Sequence, residues 1–382
     1  MVRFTLLAKD TATAARRGRL RTPHGDVDTP AFMPVGTQGA VKGVLPDEAR
    51  ALGAQILLAN TYHLALRPGS DLIRRAGGLH PFTGWDGPLL TDSGGYQVFS
   101  LAALSRVSDE GVRFRSHLDG AELFLTPERA IEIQEDLGAD IAMVLDHCPP
   151  YPASRSEVAE ALARTLRWSA RCLRRARRPG QALFGIVQGG IFLDLREESL
   201  AGTVPLDFPG FAIGGVSVGE PRSQQREVVR HVAPRLPADR PRYLMGVGFP
   251  EDILDAIADG IDLFDCVVPT RHGRNGSVFT RDGLINVRNT AYAEDLTPLE
   301  GGCTCPACAR FTRAYVRHLV KAHEMSGVRL CTIHNLHFYF RLLAQAREAI
   351  TAGCFGAFRD AFLARYGRSP ERGDVPEAAE IP

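Results

Sequence analysis

The 382-residue sequence predicts an α/β protein, a (β/α)8 barrel of the TIM type. Three features carry that expectation. Eight short apolar runs recur along the chain, each followed by a stretch with helical spacing. The runs are continuously apolar rather than alternating, as parallel strands are when helices cover them. Polar residues, three of them aspartates, collect at the C-terminal ends of the runs, where barrels place their chemistry.

The eight runs are Ala31–Thr37, Gln55–Asn60, Leu89–Gly95, Ile141–His147, Ala182–Gly190, Phe211–Gly219, Arg242–Gly248 and Leu263–Arg271. Ahead of them, residues 1–30 read as a hairpin closing the bottom of the barrel, and residues 31–382 hold the barrel itself. Pro46-Asp47-Glu48-Ala49 opens the first helix pattern, and Thr126 stands as N-cap before Pro127 at the first helical position. Ser154–Arg178 reads as one long helix with a basic end at Arg171–Arg178. Pro250-Glu251-Asp252 starts another that closes near Gly260. Two segments break the rhythm: a charged, turn-rich insertion at Ser100–Leu125, and a subdomain at about 275–345 that carries a cysteine cluster. Helices follow through Tyr366, and residues 370–382, rich in Pro, Glu and Gly, read as a flexible tail. An open doubly wound sheet is the competing architecture for the same alternation.

Formal net charge is +1, with 45% apolar and 23% charged residues. That is ordinary for a soluble globular protein, so any affinity for nucleic acid has to come from local patches. No apolar run is long enough to span a bilayer, and Met1-Val2-Arg3-Phe4-Thr5 lacks a signal peptide's apolar stretch. A cytoplasmic protein with no membrane partner is expected.

The strand ends offer Asn60, Asp92, Asp146, Gln188, Gly214-Gly215 and Asp265. A core strand has no use for carboxylates. Asp92 opens Asp92-Ser93-Gly94-Gly95-Tyr96, in which two glycines permit close approach of a ligand and Tyr96 can stack on a planar base; a helix-capping aspartate is the structural alternative. Asp146 precedes His147-Cys148 and can accept two donors from a purine edge, or else cap the helix at Ser154. Asp265 stands inside an apolar run with no neighbouring cation, and a buried carboxylate needs partners or a task.

Cys303-x-Cys305-x-x-Cys308 places three thiolates in one short loop. In a cytoplasmic chain that pattern points to metal before disulfides. His334 offers a fourth ligand from a following helix, with His337, His318 and His323 as rivals. Three Cys and one His make a closed structural Zn2+ site, one per subunit, with no open position for a catalytic water. The fold class is thus a barrel with a C-terminal structural zinc-binding subdomain.

Thr91–Gln97, Phe184–Gly189, Tyr243–Gly248, Phe264–Arg271 and the Cys303, Cys305, Cys308, His334 set together resemble the bacterial tRNA-guanine transglycosylase family, also called queuine tRNA-ribosyltransferase. The resemblance runs from about Phe4 to Tyr366. It implies a homodimeric barrel enzyme with a structural zinc. Such enzymes exchange guanine at wobble position 34 of tRNAs with a GUN anticodon (Asp, Asn, His, Tyr) for 7-aminomethyl-7-deazaguanine, preQ1. By matching motif, Asp265 is the nucleophile and Asp92 the general acid/base. Asp92, Ser93, Gly94, Gly95, Asp146, Gln188 and Gly215 belong to the substrate site, with Tyr96 and Met245 as the two faces that sandwich the base. The RNA-contacting stretches are Gly246, Val247, Gly248, Phe249, Pro250, Glu251 and Asp252, and Thr270, Arg271, His272, Gly273 and Arg274. Cys148 and Val218 match the bacterial form. His147, Val216 and Phe249 depart from the Glu, Leu and Lys of many bacterial members.

The competing functions are a retaining glycoside hydrolase and a non-catalytic tRNA-binding subunit. The first also needs two carboxylates, but its pocket favours tryptophan, and Trp85 and Trp168 lie at no strand end. The second is disfavoured because both aspartates are retained.

Overall fold

A computed structural model describes residues 2–95, 105–116 and 120–367. Strands β1 (Arg3–Lys9), β2 (Arg16–Thr22) and β3 (Gly25–Thr29) form an antiparallel sheet ahead of the barrel. Where the sequence suggested a hairpin there is thus a third strand. The turn between β2 and β3 is tight, with Thr22 and Gly25 paired across it. The barrel follows as β4 (Ala31–Gly36), β5 (Leu57–Ala59) and β6 (Leu89–Thr91). In the insertion, β7 (Ser105–Val107), β8 (Val112–Arg115) and β9 (Glu122–Leu125) make a small antiparallel sheet. The barrel then continues with β10 (Ile141–Met143), β11 (Ala182–Val187), β12 (Phe211–Ile213), β13 (Arg242–Leu244) and β14 (Leu263–Cys266). Parallel pairing of β14 with β4 closes the ring.

All eight apolar runs contribute a barrel strand, but most strands are shorter than their runs. Leu89–Gly95 gives only Leu89–Thr91, and Leu263–Arg271 stops at Cys266, after which Val268–Arg274 is helical. The ladder ends where the chain leaves the ring, so the remainder of each run becomes loop at the barrel mouth. That is how Asp92, Asp146 and Gln188 come to lie just past strand ends.

Local signals set the helices. Thr126 Oγ accepts the Arg129 N–H at 3.1 Å, and Ser154 forms a capping box with Glu157 at the start of helix Arg155–Arg175. The basic end of that helix is partly paired by helix Pro127–Leu137: Arg171 pairs with Glu128 at 2.7 Å, and Arg175 with Glu132 and Glu135. Among the described residues no helix is long and apolar enough to cross a membrane.

A second, smaller core lies beyond the barrel. Hairpin β15 (Ser277–Thr280) and β16 (Gly283–Asn286) and helices Pro306–Arg310 and Arg313–Lys321 surround Val278, Val287, Leu299, Val316, Val320 and Cys331. The 27-residue helix Met325–Thr351 contributes to both cores, with Cys331 in the small one and Leu336, Tyr339 and Leu343 in the large one.

The bottom of the barrel is clasped by charge. Arg16 on β2 grips Asp262, its Nε donating to Oδ1 at 2.9 Å, and also donates to the carbonyls of Ala238 (2.8 Å) and Arg240 (2.6 Å). The Arg242 N–H donates to the same carboxylate at 2.7 Å. Both side chains are almost fully buried. Removing one member of a buried pair strands the other charge, so Arg16→Ala should cost about 3–5 kcal/mol, and Arg16→Met with Asp262→Leu much less. Denaturant unfolding of the three proteins measures this; equal losses for the single and double variants would contradict it.

Candidate active site and metal centre

Asp265 lies within β14, at the C-terminal end of the barrel. Its Oδ1 accepts the Tyr243 hydroxyl at 2.6 Å and the Gly246 N–H at 2.8 Å, and no hydrogen bond from the described residues reaches Oδ2. Burial raises the Asp265 pKa, and the two donors oppose the rise. Tyr243 is itself buried on the neighbouring strand β13. Burial and then the Asp265 carboxylate push its hydroxyl well above the usual range, and Asp92 adds to the effect. Both carboxylates therefore act on one phenol, and the barrel brings Asp92 and Asp265 to the same mouth.

Asp92 follows β6. Its Oδ2 accepts the Asn60 amide at 2.6 Å and its Oδ1 accepts the Thr61 N–H at 2.7 Å. Thr61 begins helix Thr61–Leu66, so Asp92 does cap a helix, one that follows a different strand. Capping here orients the carboxylate.

Asp146 is fully buried and accepts the Gln188 amide at 2.6 Å. Desolvation raises its pKa to about 6 against the hydrogen bonds from Gln188 and Ser93. Gly95 is required beneath it, because a Cβ there would meet Asp146 Oδ1 at 1.9 Å. Gln188, expected in the substrate site, spends one of its two amide N–H groups on Asp146, and its Oε1 is buried without a partner. Gly215, at φ +64°, leaves room for that oxygen, which would lie 2.1 Å from an added Cβ. Ser93 Oγ accepts the Gly95 N–H at 3.2 Å, Gly94 takes φ +88°, and Met245 sits half-buried beside Gly214. A cleft lined by Tyr151, Phe192, Gly215, Val218 and Glu220 opens alongside. Tyr96 lies outside the described residues.

His334 selects itself as the fourth member of the cysteine cluster. Its Nδ1 lies 3.8, 3.6 and 3.3 Å from the sulfurs of Cys303, Cys305 and Cys308. Its Nε2–H donates to the Phe279 carbonyl at 2.8 Å, which turns the Nδ1 lone pair toward the thiols. All four residues are buried, and their ligand atoms lie within 4.8 Å of one another, so the group can hold a metal ion. His337 faces Thr304 instead. A further group, His24, His80 and Asp140, lies at the opposite end of the barrel. Its two imidazoles stack 3.5 Å apart at 17°, and His24 Nδ1 and His80 Nε2 face the oxygens of Asp140 and Gly87 as donors, at 2.8 and 3.1 Å.

A family profile described as Queuine tRNA-ribosyltransferase matches residues 10–368. Proteins of that name are similar over nearly their full length: from Pelotomaculum thermopropionicum (56% identical, 96% of this chain and 99% of the relative), Halothermothrix orenii (54%, 96% and 98%) and Desulforudis audaxviator (56%, 94% and 97%). The chain belongs to the queuine tRNA-ribosyltransferase family. It is an enzyme of the transferase class.

Membership fits the burial of the mouth only in part. Of the stretch expected to contact RNA, Val247, Gly248, Phe249, Pro250 and Glu251 are buried, and only Gly246 and Asp252 are half-exposed. Glu251 pairs with Arg222 at 3.1 Å, and the Arg222 guanidinium lies 5.2 Å over the Phe249 ring. In the second stretch Arg271 is exposed, His272 and Arg274 are half-buried, and Thr270 and Gly273 are buried. Val216 is buried as well. The departure at His147 is electrostatically quiet. Burial and the nearby Arg164 lower its pKa to about 4, and Arg164 donates to its Nδ1 at 3.0 Å, so the ring is neutral at physiological pH.

The site also contains residues that sequence reasoning assigned no role. Tyr243 sat inside an apolar run, where a hydroxyl needs a partner, and Asn60 ended another run. Those were the available signals.

Proposed function

We propose that the protein exchanges guanine at wobble position 34 of tRNAs bearing a GUN anticodon for preQ1, through a covalent Asp265–ribose intermediate. One observation carries this reading: two aspartates meet at one barrel mouth, and one of them has a single oxygen pinned by two neutral donors. Substrate and product are both β-linked nucleosides. One displacement would invert the anomeric carbon, so two are needed. Asp265 Oδ2 attacks C1′ while Tyr243 and Gly246 hold Oδ1, and the C1′–N9 bond breaks. Asp92, held by Asn60 and Thr61, assists the leaving guanine and then takes the proton from N9 of preQ1 as that nitrogen attacks C1′ and releases Asp265.

Base recognition follows from donors and acceptors. Ionised Asp146 accepts N1–H and the 2-amino group, while Gln188 and the Gly215 N–H donate to O6. Tyr96 and Met245 cover the two faces of the ring. Arg271, His272 and Arg274 meet the anticodon loop, whose base is turned outward into the pocket. The enzyme acts in the cytoplasm as a homodimer, and the Cys3His group holds a structural zinc. Bonds of about 2.3 Å to sulfur and about 2.0–2.1 Å to nitrogen span a tetrahedron with edges like the Nδ1–Sγ separations seen here.

Asp265→Asn should reduce labelled-guanine exchange into tRNA-Tyr to background and abolish a denaturant-stable enzyme–tRNA adduct. Exchange at the normal rate would remove Asp265 from the nucleophile role.

Guanine binding should weaken as pH falls through about 6, because protonation of Asp146 turns an acceptor into a donor facing donors. The loss approaches about tenfold per pH unit below that value. Binding that is level between pH 5 and 8 would contradict the assignment.

Chelation should release one zinc per chain and expose the amides of residues 278–331 to hydrogen exchange ahead of the barrel. Well-folded protein without zinc would contradict the structural role.

A further inference from the structure

Arg196, on helix Leu193–Thr203, is fully buried and ion-pairs with no carboxylate among the described residues. Burial lowers its pKa to about 10, so it remains a cation at neutral pH. Four of its five N–H donors are spent on backbone carbonyls. Nε donates to Gly190 O at 2.9 Å, Nη1 to Val187 O at 2.7 Å and Gly214 O at 2.8 Å, and Nη2 to Gly215 O at 3.3 Å. These carbonyls flank Gln188 and Gly215 at the C-terminal ends of the adjacent strands β11 and β12 and in the loops that follow. A buried guanidinium commonly takes a carboxylate or phosphate. One that takes four carbonyls is orienting peptides.

A trans peptide points its C=O and the following N–H in opposite directions. With Gly214 O and Gly215 O drawn toward Arg196, the N–H groups of Gly215 and Val216 are turned away from it. Neither N–H makes a hydrogen bond among the described residues. Two adjacent unbonded donors in a half-buried to buried loop await an acceptor, since leaving such groups unmet costs about 1–3 kcal/mol each.

We infer that Arg196 is a positioning residue for base selection: it polarises the Gly214–Val216 backbone so that this edge of the pocket presents donors, and thereby selects a purine with a strong acceptor at C6. The inference rests on the base site proposed above. Arg196 touches neither base nor ribose.

The test compares binding of guanine, 6-thioguanine and hypoxanthine to wild type, Arg196→Lys and Arg196→Gln. 6-Thioguanine weakens only the acceptor at C6, whereas hypoxanthine lacks only the 2-amino group read by Asp146. The wild type should prefer guanine to 6-thioguanine by about tenfold or more. Both variants should lose most of that preference while keeping the guanine-to-hypoxanthine ratio within about threefold. A general structural role would move the two ratios together. Variants that retain the 6-thioguanine discrimination would overturn the role of Arg196 and leave the base site standing. A wild type that cannot tell guanine from 6-thioguanine would remove the C6 contact itself, and the inference with it. Failure of both variants to fold would assign Arg196 to stability and overturn the proposal.

Discussion

Desolvation of carboxylates is the constraint on which this barrel depends, and its two ends answer it differently. Strand β14 shows both answers. Asp262, just before it, is gripped by the Arg16 guanidinium, whereas Asp265 within it accepts only a tyrosine hydroxyl and a backbone N–H. Strand β10 carries a second contrast. Asp140 before it lies 2.8 Å from His24 and accepts the Leu89 N–H at 2.9 Å, while Asp146 after it accepts a side-chain amide. A cation at close range stabilises a carboxylate and blunts its reactivity. Neutral donors hold Asp265 through Oδ1 alone, the arrangement on which the proposed chemistry at the mouth rests.

This contrast also explains what the sequence could reveal. Asp140, Asp146, Asp262 and Asp265 look alike along the chain, since each borders or interrupts an apolar run. Only the rule that barrel chemistry lies at C-terminal strand ends separates the second and fourth from the first and third. The eight strands and the helix caps were legible because hydrophobic runs and Thr126 or Ser154 act locally. The partners were not. Tyr243 reaches Asp265 across 22 residues, Asn60 reaches Asp92 across 32, and Arg16 reaches Asp262 across 246. The first two exist because neighbouring strands pair, and the third because the N-terminal sheet docks on the bottom of the barrel. Likewise, motif matching could not foresee that Val247–Glu251 is largely packed inward, because burial depends on the neighbouring helix that carries Arg222.

Arg196 extends the same reasoning to cations. At the bottom Arg16 meets a carboxylate; at the mouth Arg196 meets carbonyls only. A carboxylate there would cancel its field. Carbonyls, with the Glu220 carboxylate acting only beyond ion-pair distance, leave much of the charge to be transmitted through peptide dipoles to the outward N–H groups.

The metal subdomain is tied to this mouth by consecutive residues of one helix. His334 closes the cysteine cluster. Next to it, Asn335 accepts the Phe279 N–H at 3.0 Å and donates to Pro269 O at 2.9 Å and Ser277 O at 3.0 Å, and one turn on, the Tyr339 hydroxyl donates to Gly248 O. Pro269 lies four residues beyond Asp265, and Gly248 two beyond the Gly246 N–H that pins it. The site far from the chemistry thus restrains both chain segments that aim the Asp265 carboxylate. A metal held by the Cys3His cluster, as proposed, would bear on the reaction through rigidity passed along Met325–Thr351 to the loops at the barrel mouth.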